Sequence, residues 1–114
     1  MFAVIYRGFV KPHQEDEYQR FWKIIATYFV NERGALGSTL HRAEDGMWVA
    51  YSLWPEKAKR DASWPSENEK PNSEIPENIR LAIKGLKECL KEQLPEICME
   101  VKDQFFFSCD KGKS

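Results

Sequence analysis

The fold is decided by residues 47–54, which read MWVAYSLW. Side chains alternate between the two faces of an extended chain, so Trp48 and Trp54 share one face, while Val49 and Tyr51 share the other. Both faces are therefore apolar. A strand of this kind is covered on both sides, which predicts a position in the centre of a sheet.

Three further strands are predicted around this one. Residues 2–10, FAVIYRGFV, are also apolar on both faces and stop at Lys11-Pro12, which indicates a second central strand. Residues 36–42 and 97–107 alternate apolar with polar positions, as edge strands with one buried face do. The turn signal at residues 44–46, EDG, joins residues 36–42 to residues 47–54 as a β-hairpin.

Two long helices and one short one complete the pattern. Apolar residues recur at three- and four-residue steps over residues 14–33, with acidic residues in the first turn. A second stripe of this spacing begins at Ile79 and is predicted to end near Leu94-Pro95. Pro55 favours a short helix over residues 56–64, and the polar, proline-rich residues 65–76 are expected to form a surface loop.

The order strand, helix, strand, strand, helix, strand, with the extra short helix, predicts an α+β fold of the ferredoxin-like βαββαβ type. We expect a four-stranded antiparallel sheet in one domain over residues 1–114. Two long helices can cover only one face of such a sheet, whereas both faces of the central strands are apolar. The sequence therefore predicts a homodimer in which the uncovered sheet faces pack together.

Composition excludes several classes of protein. The 114 residues carry 17 Lys and Arg against 18 Asp and Glu, so the basic surface of a nucleic-acid-binding protein is missing. Three cysteines without a CxxC pair and two separated histidines support neither a disulfide scaffold nor a metal site. No apolar run reaches the ~18 residues of a membrane span, and no signal peptide is recognised. We expect a cytoplasmic protein with no cofactor and no membrane partner.

Residues 40–55, LHRAEDGMWVAYSLWP, continuing to residues 60–64, RDASW, resemble the antibiotic biosynthesis monooxygenase family of dimeric α/β-barrel proteins. The resemblance implies a dimeric ferredoxin-like fold. It also implies oxygenation of electron-rich aromatic compounds without metal or flavin, or else haem degradation. The haem-degrading branch uses an asparagine on the first strand and a histidine on a later helix, whereas this chain has Tyr6 and Arg7 on its first strand and His13 and His41 outside the later helices. Haem degradation is therefore not expected.

Arg7, His41 and Tyr51 are the candidate catalytic residues, since they are the polar side chains that could face a cavity between helices and sheet. Arg7 is a charge within a central strand, so it should either anchor a substrate or pair with an acid, for which Asp103 is the natural partner. His41 has an ordinary pKa of ~6.5 and would deprotonate a phenol if it faced the cavity. Its alternative is a solvent-facing position before the hairpin turn.

Trp22, Trp48 and Trp64 are the candidate substrate-binding residues, because flat aromatic walls stack planar ligands. The alternative is that they form the core and the dimer interface. Arg60 and Asp61 either gate such a cleft or form an exposed pair. The sequence thus predicts a cofactor-independent monooxygenase acting on a small electron-rich aromatic compound. The alternative is a non-enzymatic homodimer of the same fold that binds a small aromatic or apolar ligand.

Overall fold

A computed structural model describes residues 1–63 and 75–105 of the chain. In chain order the elements are β1 (Phe2–Val10), α1 (Glu15–Glu32), β2 (Gly37–Arg42), β3 (Trp48–Trp54), α2 (Lys57–Ser63), α3 (Glu77–Glu88) and β4 (Leu90–Glu100). The predicted α+β, ferredoxin-like order with one extra short helix is confirmed. Trp64 and most of the predicted loop over residues 65–76 lie outside the described residues, as do the last two positions of the predicted strand at residues 97–107.

The four strands form one antiparallel sheet in the order β2-β3-β1-β4. The two strands that are apolar on both faces, β1 and β3, are central, and the two alternating strands are edges, as predicted. Phe2 pairs with Trp54 and Gly8 pairs with Trp48 across the two central strands. This pairing sets which side chains share a face.

One face of the sheet carries α1 and α3. Val4 and Trp54 lie on this face and form a buried cluster with Ile25 and Phe29 of α1 and with residues of α3. The Phe29 ring meets the Trp54 ring edge to face, with centroids 6.1 Å apart. The acidic first turn of α1 suits the positive end of the helix dipole. No helix in the described part of the chain is long and apolar enough to cross a membrane.

The other face of the sheet is called here the open face. Cross-strand pairing sets its members, which include the polar residues Arg7 and His41. Its apolar members are Ala3, Ile5, Val49, Tyr51, Leu53, Ile97 and Met99. None of them belongs to the clusters that the helices form with the sheet. The open face is therefore a largely apolar surface that takes no part in the clusters formed by the described residues.

The C-terminal boundaries differ from the prediction. Helix α3 ends at Glu88 rather than near Leu94, and β4 spans Leu90–Glu100 rather than residues 97–107. Leu90 and Leu94 are four residues apart, which suits a helix, but pairing of this stretch with β1 overrides that local pattern. The ladder is continued at its end by the Lys11 N–H, which donates to the Cys89 carbonyl at 2.8 Å.

The predicted ion pair between Arg7 and Asp103 is wrong. Asp103 is exposed and lies beyond the end of β4, so it does not stand opposite Arg7. Arg7 pairs instead with Leu94, after a register shift opposite Tyr6, and its Nη2 donates to the Pro95 carbonyl at 3.0 Å. Pro95 is tolerated because β4 is an edge strand.

Candidate functional site

A cavity of about 870 Å³ lies between the helices and the helix-bearing face of the sheet. This volume is within the range of small-molecule sites, about 300–1,000 Å³. Aromatic side chains from three elements, β1, α1 and β3, form much of its wall, namely Tyr6, Tyr18, Trp22, Phe29 and Trp54. Planar walls of this kind favour a planar, apolar ligand.

The cavity wall also holds a group of polar side chains, called here the polar cluster: Arg60 of α2, Tyr6 of β1, and Glu96 of β4. The Arg60 side chain is only 10% exposed, and its Nη2 lies 2.7 and 2.8 Å from the two carboxylate oxygens of Glu96. The same Nη2 lies 3.4 Å from the Tyr6 hydroxyl. Because a buried guanidinium without a partner is costly, this pairing fixes α2 against β4.

Burial sets the ionisation of the polar cluster. Loss of solvent raises the pKa of Tyr6 to about 12, and the nearby Arg60 charge only partly opposes this. Tyr6 is therefore a neutral hydroxyl at neutral pH and not a base. Burial alone would lower the pKa of Arg60, but its contacts with Tyr6 and Glu96 together raise that pKa, so the guanidinium keeps its charge.

The buried tyrosines predict a loss of stability in alkaline solution. Burial raises the pKa of Tyr18 to about 12, against an ordinary value of 10.0. Between pH 10 and 12 the unfolded chain ionises at this residue and the folded chain does not, so the free energy of unfolding falls as the pH rises. For Tyr18 the loss should be on the order of 2 kcal/mol. Urea unfolding of wild type and Tyr18→Phe at pH 8 and pH 11 measures it, and the variant should lose less. An equal loss in the two proteins would contradict the assignment.

Two buried N–H donors belong to residues that line the cavity. The Nε atom of Arg60 and the Nε1 atom of Trp54 are buried and have no hydrogen-bond partner among the described residues. Arg60 is 9% exposed and Trp54 is 3% exposed. The Nε atom of Arg7 is in the same condition, although this residue pairs with Val49 and so belongs by register to the open face. Orphaned buried donors are rare, and each one needs an explanation.

The structure does not bring the six predicted site residues together. Trp22 and Arg7 line the cavity. Trp48 lies on the same sheet face but packs edge to face against Tyr18, with centroids 5.5 Å apart, and is not part of the cavity wall.

His41 and Tyr51 lie away from the cavity. His41 pairs with Val49, and Tyr51 pairs with Ile5, so register puts both on the open face. Their catalytic assignment stays a prediction. Because both residues lie on the open face, any reaction they catalyse would take place outside the helix–sheet cavity. The substrate-binding assignment of Trp64 falls outside the described residues.

Sequence reasoning missed three residues of the cavity wall as site residues: Tyr6, Trp54 and Glu96. The alternation of side chains along β1 and β3 already assigns Tyr6 and Trp54 to a defined face of their strands. The sequence therefore contained a signal that could have identified both as wall residues. Glu96 carried none, because the boundary predicted between the last helix and strand left it in a loop. Among the described residues, no three His, Cys, Asp or Glu side chains are grouped to hold a metal ion.

No family model and no curated protein matches the sequence of the chain. Solved structures do match its fold. A crystal structure of an antibiotic biosynthesis monooxygenase has a TM-score of 0.68 and 17% identity, covering 90% of this chain and 100% of the other. The chain has the fold of the antibiotic biosynthesis monooxygenases.

Two further solved structures share this fold, one of an oxygenase and one of a conserved protein. SnoaB, a cofactor-independent oxygenase from Streptomyces nogalater, has a TM-score of 0.64 and 14% identity, covering 90% of this chain and 94% of SnoaB. A conserved protein from Methanosarcina mazei Go1 has a TM-score of 0.69 and 16% identity, covering 89% and 92%. At such identities the monooxygenase fold is what the chain shares with them, and function has to be argued from the site.

Proposed function

We propose that this chain is a monooxygenase that oxidises a small electron-rich aromatic compound in the helix–sheet cavity without a metal or flavin. The observation that carries the proposal is an aromatic-walled cavity of about 870 Å³ with a buried, charged Arg60 in its wall. The fold shared with a cofactor-independent oxygenase supports it.

The chemistry begins with ionisation of the substrate. A phenol becomes a strong electron donor only as the phenolate, and a nearby cation lowers its pKa. Arg60 supplies that cation, and the half-exposed Glu96 carboxylate takes the proton and passes it to solvent. The phenolate gives one electron to O₂, and the resulting radical pair joins to form a carbon–oxygen bond. Loss of water then leaves a quinone, with one oxygen atom in the product and the other in the water.

Trp22 and Trp54 hold the ring in this proposal. Both line the cavity, and flat aromatic surfaces prefer offset or edge contacts with another ring. Arg7 also lines the cavity, but its strand register assigns it to the open face, so it is given no step of the reaction. The predicted roles of His41, Tyr51 and Trp48 are left out of the reaction, since none of these three residues lines the cavity. Trp64 lies outside the described residues and is given no role.

We further propose that the protein is a homodimer in which the open face of one copy packs against the open face of another. The apolar character of this face supports the proposal, since a monomer rarely exposes a patch of this kind. Ile97 in particular is 39% exposed in the single chain. Two-fold symmetry makes such a surface its own partner.

A non-enzymatic ligand-binding protein is the second candidate function. The observation that favours it is that no histidine lines the cavity, and that Tyr6, with a pKa of about 12, is not a base. A site of this composition would bind a planar compound without activating it.

Oxygen uptake separates the two functions. With dihydroxynaphthalenes as substrates and a chelator present, the enzyme should consume O₂, and ¹⁸O₂ should label the quinone. Arg60→Met should lower the rate at least about a hundredfold, because one charge-stabilising contact contributes on that scale. Arg42→Met removes an exposed guanidinium outside the cavity and should keep the rate. Tight binding without any O₂ uptake would contradict the enzymatic proposal and favour the second candidate.

A further inference from the structure

A pair of serine hydroxyls, called here the serine pair, lies in the floor of the cavity. Ser38 of β2 stands opposite Ser52 of β3, and their Oγ atoms are 3.3 Å apart. Ser52 pairs on its other side with Val4, which is buried in the cluster under the helices, so both serines belong to the helix-bearing face. Both are half-buried and line the cavity, so a ligand there can contact them.

The serine pair has hydrogen-bonding capacity left over. Each hydroxyl has one O–H donor and two lone pairs, so the contact between the two oxygens uses only one of the two donors. For the described residues, this contact is the one hydrogen bond that either hydroxyl makes. The neighbours of Ser52 along this face of β3 are Ala50 and Trp54, whose side chains offer no acceptor. The second donor is therefore available to an oxygen of a ligand.

The serine pair and the polar cluster lie towards opposite edges of the sheet. The serines are on β2 and β3, whereas Tyr6 and Glu96 are on β1 and β4. Neighbouring strands are about 4.8 Å apart, so the midpoints of the two groups are separated by roughly 10 Å across the sheet. Ala50 lines the cavity next to Ser52 along β3 and opposite Tyr6 on β1. The floor thus has hydrogen-bonding groups at two ends and an apolar surface between them.

We propose that the serine pair determines substrate specificity by binding a second, neutral oxygen of the substrate, at the end of the ring system opposite the phenol that ionises. The inference rests on the proposed function, because it names the class of aromatic compound that the cavity takes. Fused rings with oxygens at opposite ends fit the spacing, whereas a compound with both oxygens at one end reaches only one of the two groups. A hydroxyl suits the serine pair best, since it can accept the remaining O–H and also donate to a lone pair.

Isothermal titration calorimetry without O₂ measures binding of three probes in the absence of turnover. The probe 2,6-dihydroxynaphthalene has oxygens at opposite ends, 2,3-dihydroxynaphthalene has both at one end, and 2-naphthol has one. Wild type should bind the 2,6-isomer about tenfold more tightly than either of the others, which is the scale of one or two neutral hydrogen bonds. Replacing both hydroxyls, by Ser38→Ala together with Ser52→Ala, should remove this preference and leave the affinity for the other two probes unchanged.

Thr39→Val is the matched control. Thr39 pairs with Tyr51, so this variant removes a hydroxyl from the same strand on the open face, and it should keep the wild-type preference. Ser52→Ala alone decides the case if the double variant does not fold. It breaks the serine pair, so it should lower the preference for the 2,6-isomer at least about threefold.

The outcomes separate this inference from the proposed function. Equal wild-type affinity for the 2,6- and 2,3-isomers would overturn the role of the serine pair and leave aromatic binding in the cavity intact. A preference that survives the loss of both hydroxyls, or that Thr39→Val also removes, would overturn it as well. Failure of all three probes to bind wild type would instead contradict the proposed function on which the inference rests.

Discussion

Leu53→Asp is expected to convert the proposed homodimer into monomers. Leu53 lies on the open face, on the central strand β3, and pairs with Ala3 of β1 and Gly37 of β2, so its substitution places a carboxylate where neither cross-strand neighbour is a counterion. An unpaired charge buried at an interface costs about 3 kcal/mol or more. Two-fold symmetry introduces it twice, so the dissociation constant should rise by about 10⁴-fold. Sedimentation velocity at micromolar concentration measures the change.

Leu81→Asp is the matched control for this experiment. Leu81 is an apolar residue on α3 that is 59% exposed, and a carboxylate there adds the same charge away from the open face. This variant should remain dimeric. A wild-type protein of monomeric mass would contradict the proposed dimer outright, and dissociation by both variants would mean that the open face is not the interface.

Gly8→Val is expected to destabilise the fold by about 3 kcal/mol or more. A Cβ atom on Gly8 would lie 2.7 Å from the Glu92 carbonyl oxygen and 3.0 Å from Leu90 Cδ2. The first of these is backbone, so the strands β1 and β4 have to move apart, and overpacking of this kind costs about 1–3 kcal/mol or more. The melting temperature should fall by about 15 °C, since a chain of this size loses several degrees for each kcal/mol.

Gly37→Val provides the comparison. Gly37 is also a strand glycine, but on the edge strand β2, where an added Cβ meets no heavy atom of the described residues within 4 Å. The β-branched side chain suits a strand, so thermal unfolding should change little or shift upward. An equal fall in melting temperature for the two variants would show that replacing any strand glycine destabilises the fold. The close approach of β4 to Gly8 would then not be the cause.

Most of the architecture could be predicted from periodicity. The double apolar pattern of residues 47–54 and 2–10 identified the central strands because the burial of both faces leaves a direct mark on sequence. The boundary between α3 and β4 could not be predicted, because Leu90 and Leu94 satisfy a helical stripe as well as a strand. Only the ladder with β1, which brings together residues some ninety positions apart, decides between them.

The candidate site was less predictable for a related reason. Arg60 was identified as a charge beside a possible cleft, but its partner Glu96 depended on the register of β4, which local sequence does not contain. His41 and Tyr51 were selected as polar residues on strands, and the cross-strand pairing put them on the open face. A polar side chain in a strand cannot be assigned to the cavity until it is known which face of the sheet carries the helices.

The position of β1 between β3 and β4 makes the first strand of the chain depend on the last. Phe2 pairs with Trp54 on one side and with Glu100 on the other, and the whole β1–β4 ladder joins residues some ninety positions apart. Contacts at such separation form late and slow folding, because the intervening chain loses its freedom before they stabilise anything. During synthesis, the β1 backbone groups that pair with β4 would stay unpaired until Leu90 and the residues after it leave the ribosome. That exposed edge is the point at which an unfinished chain is most open to aggregation or chaperone binding.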